Sequence, residues 1–178
     1  MTVWEDTIVT LERWELLHAS TEAARRWADT EAKAIDRGGV ERDLAKDVAG
    51  VCGEIAVAKW TNRYWTAGQR AAGDVGGLEV RTRRSDPRDE KPLLLLQPYD
   101  EQRKPRSPFV LVVGQRAVYR ICGWTTPERA RELERLGAAS TVDPGNRGQP
   151  CLGVPQLALL PMDQFRVDEV AAEPELVL

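Results

Sequence analysis

Two stretches of the chain are apolar without a break, PLLLLQP at 92–98 and PFVLVVG at 108–114, each bounded by proline or glycine. Runs of that length without polar alternation predict strands covered on both faces. Around them the pattern becomes alternating, in LEVRTR at 78–83 and AVYRICGW at 117–124. Successive strand side chains point to opposite faces, so Leu78, Val80 and Thr82 are expected to face a core while Glu79, Arg81 and Arg83 share the other side. Gln115 and Arg116 make a connection short enough for a hairpin between the second apolar run and the segment after it.

Helical periodicity governs the first third of the chain. A short apolar run, Ile8 to Leu11, reads as a strand, and the helix after it counts Trp14, Leu17, Ala24 and Trp27 among its apolar positions. Gly38 and Gly39 are its expected stop. A second helix is expected over 42–60, burying Leu44, Val48, Val51, Cys52, Ile55 and Ala58, with Gly50, Gly53 and Ala56 permitting close approach to another element. TTPERARELERLG at 125–137 predicts a third, with a threonine cap, Pro127 in the first turn and Gly137 as the stop. The stretch 64–77 is loop-rich with a short strand near Tyr64, and the Pro/Gly-rich tail carries an apolar segment, VPQLALLPM, that docks back. Helix, then several strands, then helix predicts one α/β domain with a mixed or largely antiparallel sheet. Its parts are a helical extension over 1–40, a core over 42–137 and an arm over 138–178.

Charge changes this picture. The chain is net −3, yet 79–120 holds ten Lys/Arg against six Asp/Glu, a basic middle in an acidic protein. Such a face suits an anion, including a phosphate backbone, although an Arg-rich solvated surface has the same composition. One histidine and three scattered cysteines exclude a zinc cluster, and cysteines without a paired motif suit a reducing cytoplasm. No apolar run approaches the length of a membrane span, so no membrane partner is expected.

The chemistry centres on GDVGGLEVRTRR at 73–84 and on Glu54. Glu54 has small or apolar neighbours at helical spacing, so it faces a neighbouring element and needs a partner: an arginine such as Arg81, or a metal ion. A helix acid, Asp74 at a strand entrance and Glu79 on the strand form an all-oxygen donor set, which fits Mg²⁺ or Mn²⁺ better than zinc. Arg81, about 7 Å along the same strand face, would meet a phosphate oxygen there. Asp100, in QPYDEQRKPR, reads as a turn former or as a further acid at the same end of the sheet. Trp60, Trp65, Trp124 and His18 read as packing residues.

At these residues the sequence resembles the PD-(D/E)XK nuclease superfamily. Asp74 matches the lone aspartate, Glu79 the second acid, Arg81 the lysine position and Glu54 the helix acid. Arginine for lysine, the short gap between Asp74 and Glu79 and the lack of a proline before Asp74 depart from the pattern. CGEIAVAKW, GDVGGLEVRT and YRICGW are also similar to small proteins of bacteriophages and actinobacteria, which bring no established activity with them. The superfamily resemblance implies a restriction-endonuclease-like α-β-β-β-α-β core with a mixed sheet, preceded here by an added N-terminal helix. It also implies Mg²⁺- or Mn²⁺-dependent hydrolysis of DNA in the cytoplasm of a bacterial or phage-infected cell. Glu54, Asp74 and Glu79 would then bind the metal with help from the Val80 carbonyl, and Arg81 would offset charge developing on the phosphate. Flanking phosphates would meet Arg83, Arg84, Arg103, Lys104 and Arg106. Two alternatives are a catalytically inactive nucleic-acid-binding module of the same fold and a phage-type protein that binds a host factor.

Overall fold

A computed structural model of the chain describes residues 7–35, 43–66, 73–89, 91–144 and 150–165, the first helix from residue 31 by its backbone alone. In chain order the elements are β1 (Ile8–Thr10), α1 (Arg13–Ile35), α2 (Leu44–Thr61), β2 (Glu79–Arg84), β3 (Leu93–Leu96) and α3 (Pro98–Arg103). There follow β4 (Phe109–Gln115), β5 (Val118–Thr125), α4 (Pro127–Arg135), β6 (Ser140–Val142) and β7 (Cys151–Pro155). The protein is α/β. Its main sheet is mixed and four-stranded, in the order β1-β5-β4-β2, with β2 parallel to β4 and the other pairs antiparallel. A second sheet of three strands runs β3-β7-β6.

The strand β4 sets the layers. Val110 and Val112 belong to a core filled by α1 and α2, whereas Phe109, Leu111 and Val113 belong to a second core filled by β3, β7 and α4. An unbroken apolar run is what a strand between two such cores requires. The run at 93–96 behaves differently. Leu94 and Leu96 are fully buried and Leu93 and Leu95 only partly, because β3 lies in the outer sheet with one face toward the core. The strand expected near Tyr64 is a single bridge between Trp65 and Val75. Asp100, read as a turn former or a further acid, lies on α3, whose first turn is closed by reciprocal bonds between Gln97 and Asp100. The caps expected for α4 are present: Thr126 accepts from the Arg129 N–H, and Gly137 takes a left-handed φ of 74°.

Small residues decide how the helices stack. All of 51–58 is buried on α2, which is enclosed by the sheet on one side and α1 on the other. On α1 the face toward α2 carries Glu15, Ala19 and Ala23, while Trp14 and Leu17 are 63% and 61% exposed. The expected apolar stripe of α1 is therefore displaced, since close approach to α2 selects alanines over bulky side chains. The stop expected at Gly38 and Gly39 lies outside the described residues. Among those residues no helix is long and apolar enough to cross a membrane.

On the other side, α2 meets β2 at Gly53, where an added Cβ would stand 2.0 Å from Thr82 Oγ1. At Gly50, one turn earlier, an added Cβ meets nothing within 4 Å. Gly53→Ala is therefore expected to cost about 2–4 kcal/mol by forcing the helix off the sheet. Gly50→Ala is expected to add about 0.5–1 kcal/mol through helix propensity. Urea denaturation of the two variants checks the contrast, and equal effects would refute it.

Candidate functional site

Among the described residues β2 is an edge strand, with β4 on one side of its backbone and no strand on the other. The turn before it supplies a partner. Gly76 and Gly77 have φ of 48° and 87°, the two positive values of a type I′ hairpin, and Val75 and Leu78 pair across them. Asp74 N–H donates to the Leu78 carbonyl at 2.8 Å, and the Val80 N–H donates to Asp74 Oδ2 at 2.8 Å. The short gap between Asp74 and Glu79 is thus a two-residue hairpin that folds the aspartate against the open edge.

Acids approach this edge from both faces of the sheet. Thr82 packs under α2 and Val80 lies in the same core, so even-numbered positions of β2 face α2. Glu79 and Arg81 face the other way, toward Phe109 and α3. That second side was expected to be a shared polar face, yet Glu79 is only 8% exposed. Glu54 reaches the edge from the α2 side and is 7% exposed. Arg26 of α1 clasps it with both terminal nitrogens, at 2.7 and 2.8 Å, and Trp65 Nε1 donates to Oε2 at 2.8 Å. Glu54 therefore has the buried partner its position demanded, and that partner is Arg26 where the sequence suggested Arg81.

Arg81 is bound elsewhere. Its Nη2 donates to Asp100 Oδ1 at 2.8 Å, and its guanidinium lies 4.8 Å from the centre of the Phe109 ring. Lys104 Nζ is bonded to Glu79 Oε1. Two opposite charges four residues apart at α3 thus meet two opposite charges two residues apart on β2. Asp100, 4% exposed, also accepts from the Gln97 N–H at 2.8 Å.

Asp74 alone among the three matched acids has no cation bonded to it among the described residues. Burial first, and then the negative charge of Glu54, push its carboxyl up to about 6; Glu79 adds to the rise, while the Val80 N–H and Arg81 oppose it. For Arg26, burial alone would lower the pKa, but the hydrogen bonds and charge of Glu54 outweigh it and hold the guanidinium above its ordinary value. The edge thus carries surplus negative charge concentrated on Asp74. A hard divalent cation would relieve that surplus, and the donor oxygens suit one. As the side chains stand, among the described residues no group of three acid, histidine or cysteine side chains is placed to hold a metal ion. Both oxygens of Glu54 are taken, Glu79 Oε1 is bonded to Lys104, and Asp74 Oδ2 accepts from the Val80 N–H.

The basic residues expected to line one phosphate-binding face are spread out. Arg83 and Arg84 point to opposite sides of β2: Arg83 lies 3.8 Å from Asp89, and Arg84 borders a cavity of about 110 Å³ with Cys52 and Tyr119. Arg103 is exposed at the end of α3, and Arg106 is exposed, 3.8 Å from Glu128. Lys104 is turned inward to Glu79. Sequence reasoning missed Arg26 because Glu22, Arg25 and Asp29 around it form an ordinary pattern of helix-surface ion pairs. Comparison with protein-family models, with curated proteins and with solved structures finds no match for the chain.

The raised carboxyl of Asp74 has a pH consequence. The folded protein holds this proton more tightly than the unfolded chain, so the group's contribution to stability is greatest below about pH 4 and falls as pH rises through about 6. Asp74→Asn keeps an acceptor for Val80 without the charge. The variant is expected to be more stable than the parent by about 1–3 kcal/mol at pH 8, with the difference vanishing near pH 4. Chemical denaturation at the two pH values measures it, and a pH-independent difference would contradict the charge argument.

Proposed function

We propose that the protein hydrolyses phosphodiester bonds in DNA with a divalent cation, Mg²⁺ or Mn²⁺, on a restriction-endonuclease-like core. The observation that supports this reading is Asp74, a buried carboxylate at the β2 edge that feels the negative charges of Glu54 and Glu79 and has no cation bonded to it among the described residues. Crowded, buried carboxylates cost stability, and sites of this kind are where function outweighs it. Asp74 and Glu79 would hold the cation, and Glu54, fixed by Arg26 and Trp65, would deepen the negative field from the other face. The bound cation supplies a Lewis acid and a more acidic water. Positive charge beside Glu79 offsets the negative charge that grows on the phosphate as water adds, a role the family resemblance gives to Arg81. Arg103 and Arg106, exposed beside α3, suit the flanking phosphates, whose contribution to binding falls with salt. The setting this implies is the cytoplasm of a bacterial or phage-infected cell.

A second reading is favoured by the pairing of Glu79 with Lys104 and of Arg81 with Asp100. With these charges already neutralised, the same surface suits a module that binds nucleic acid without cutting it.

Incubation of the protein with single- and double-stranded DNA and Mg²⁺ or Mn²⁺ separates the two. The first reading expects metal-dependent cleavage that Glu79→Gln lowers by about 10²–10³ while DNA binding survives. Binding without cleavage under either ion leaves the non-catalytic module, and no binding to DNA or RNA at low salt points to a host-protein partner. A double change of Arg103 and Arg106 to Ala is expected to flatten the slope of log affinity against log salt by about 2, measured by fluorescence anisotropy.

A further inference from the structure

We propose that the cavity between α2 and the β4–β5 hairpin is a binding site for a small aliphatic carboxylate. It lies at the other end of β2 from the acids, since Glu79 begins that strand and Arg84 ends it, roughly 17 Å further along. The two sites are separate, and neither needs the other. The cavity measures about 110 Å³ and is bounded by the first turns of α2, the end of β2 and the hairpin. An enclosed space of this order takes a ligand of about five or six non-hydrogen atoms.

Floor and rim differ in character. Ala49, Cys52 and Tyr119 are buried at the floor, and Leu16 and Val48 stand half-buried beside them. The Tyr119 hydroxyl and the Cys52 thiol are hydrogen-bonded to each other, so neither asks a ligand for a polar partner. Burial pushes the pKa of both groups up and keeps both neutral. Such a floor suits a hydrocarbon chain. The rim is cationic, with Arg84 and Arg116 exposed at the mouth. On β2 the other two arginines lie against acids, Arg81 against Asp100 and Arg83 against Asp89. Among the described residues neither Arg84 nor Arg116 has a carboxylate within ion-pair distance. The charge of Arg84 is close enough to Tyr119 to oppose the rise of its pKa, which places that guanidinium over the floor.

Two cationic side chains above an uncharged floor define a ligand with an anionic head and a short tail. Guanidinium groups hold a carboxylate through paired N–H donors. A phosphate head alone would fill most of the volume and leave the floor uncovered. A carboxylate head leaves space for about three carbons of tail, so butyrate is the size that fits. An amine of the same length would bring like charge to the two arginines.

The test is an NMR titration of the ¹⁵N-labelled full chain with sodium butyrate, with n-butylamine and inorganic phosphate as comparison probes. Butyrate is expected to saturate one site with a Kd of about 1 mM or tighter, within what six non-hydrogen atoms supply. The amide shifts concentrate at Cys52, Arg84, Arg116 and Tyr119, and n-butylamine produces none of them. Phosphate binds at least about tenfold more weakly than butyrate. Arg84→Gln and Arg116→Gln each weaken butyrate by about three- to tenfold. Ala45→Phe sets a ring in the exposed mouth and abolishes binding; should it fail to fold by circular dichroism, Ala45→Leu narrows the same mouth and weakens binding. Absence of saturable shifts up to about 50 mM butyrate overturns the proposal. So does n-butylamine or phosphate binding as tightly as butyrate, or a double Arg84→Gln, Arg116→Gln variant that binds butyrate as the parent does. Shifts confined to residues outside the cavity overturn it as well.

Discussion

The close approach of α2 to β2 governs the rest of the structure. A single methyl group at residue 53 has nowhere to go, so helix and strand meet backbone to side chain, with Thr82 filling the space a Cβ would need. That closeness brings the next residue, Glu54, down to the rim of the sheet, where it influences Asp74. It also leaves the far side of α2 to be covered by α1, which delivers Arg26 to Glu54. One glycine thus links the packing of three elements to the charge balance of one edge.

The charges themselves follow a rule of opposites. From the α2 side come a glutamate, an arginine and an indole N–H; from the α3 side come two crossed pairs, Glu79 with Lys104 and Arg81 with Asp100. Between the two groups lies Asp74, whose strongest stabilising contact is a backbone N–H and not a cation. Burying this many charges costs more than burying leucines of the same volume.

Local chemistry made much of this visible in the amino-acid order. Thr126, Pro127 and Gly137 punctuate α4; Phe109 to Val113 are apolar because both faces of β4 are covered; and the paired glycines at 76 and 77 set the turn that places Asp74. What escaped the sequence was decided over long distances. The leucines at 93–96 look like any central strand, and only pairing with β7, nearly sixty residues later, assigns them to an outer sheet. Trp14 and Leu17 look like core, and only the alanine-sized gap beside α2 turns them outward. The identity of each acid's partner was equally hidden. Arg26 and Lys104 are 28 and 25 residues from the carboxylates they hold, and nothing in their neighbourhoods marks them.

The connection between β2 and β4 has a consequence for how the chain reaches this state. Because those strands are parallel, the chain must cross over between them, and it does so through β3 and α3. The β4–β5 hairpin and the α1–α2 pair are local and close quickly, whereas β3 waits for β7 to be synthesised. The crossover segment that contributes Asp100 and Lys104 therefore gains its outer support last. Because Asp100 and Lys104 carry opposite charges, the docking of that segment gives Arg81 and Glu79 each a counter-charge and leaves the net charge of the β2 edge as it was.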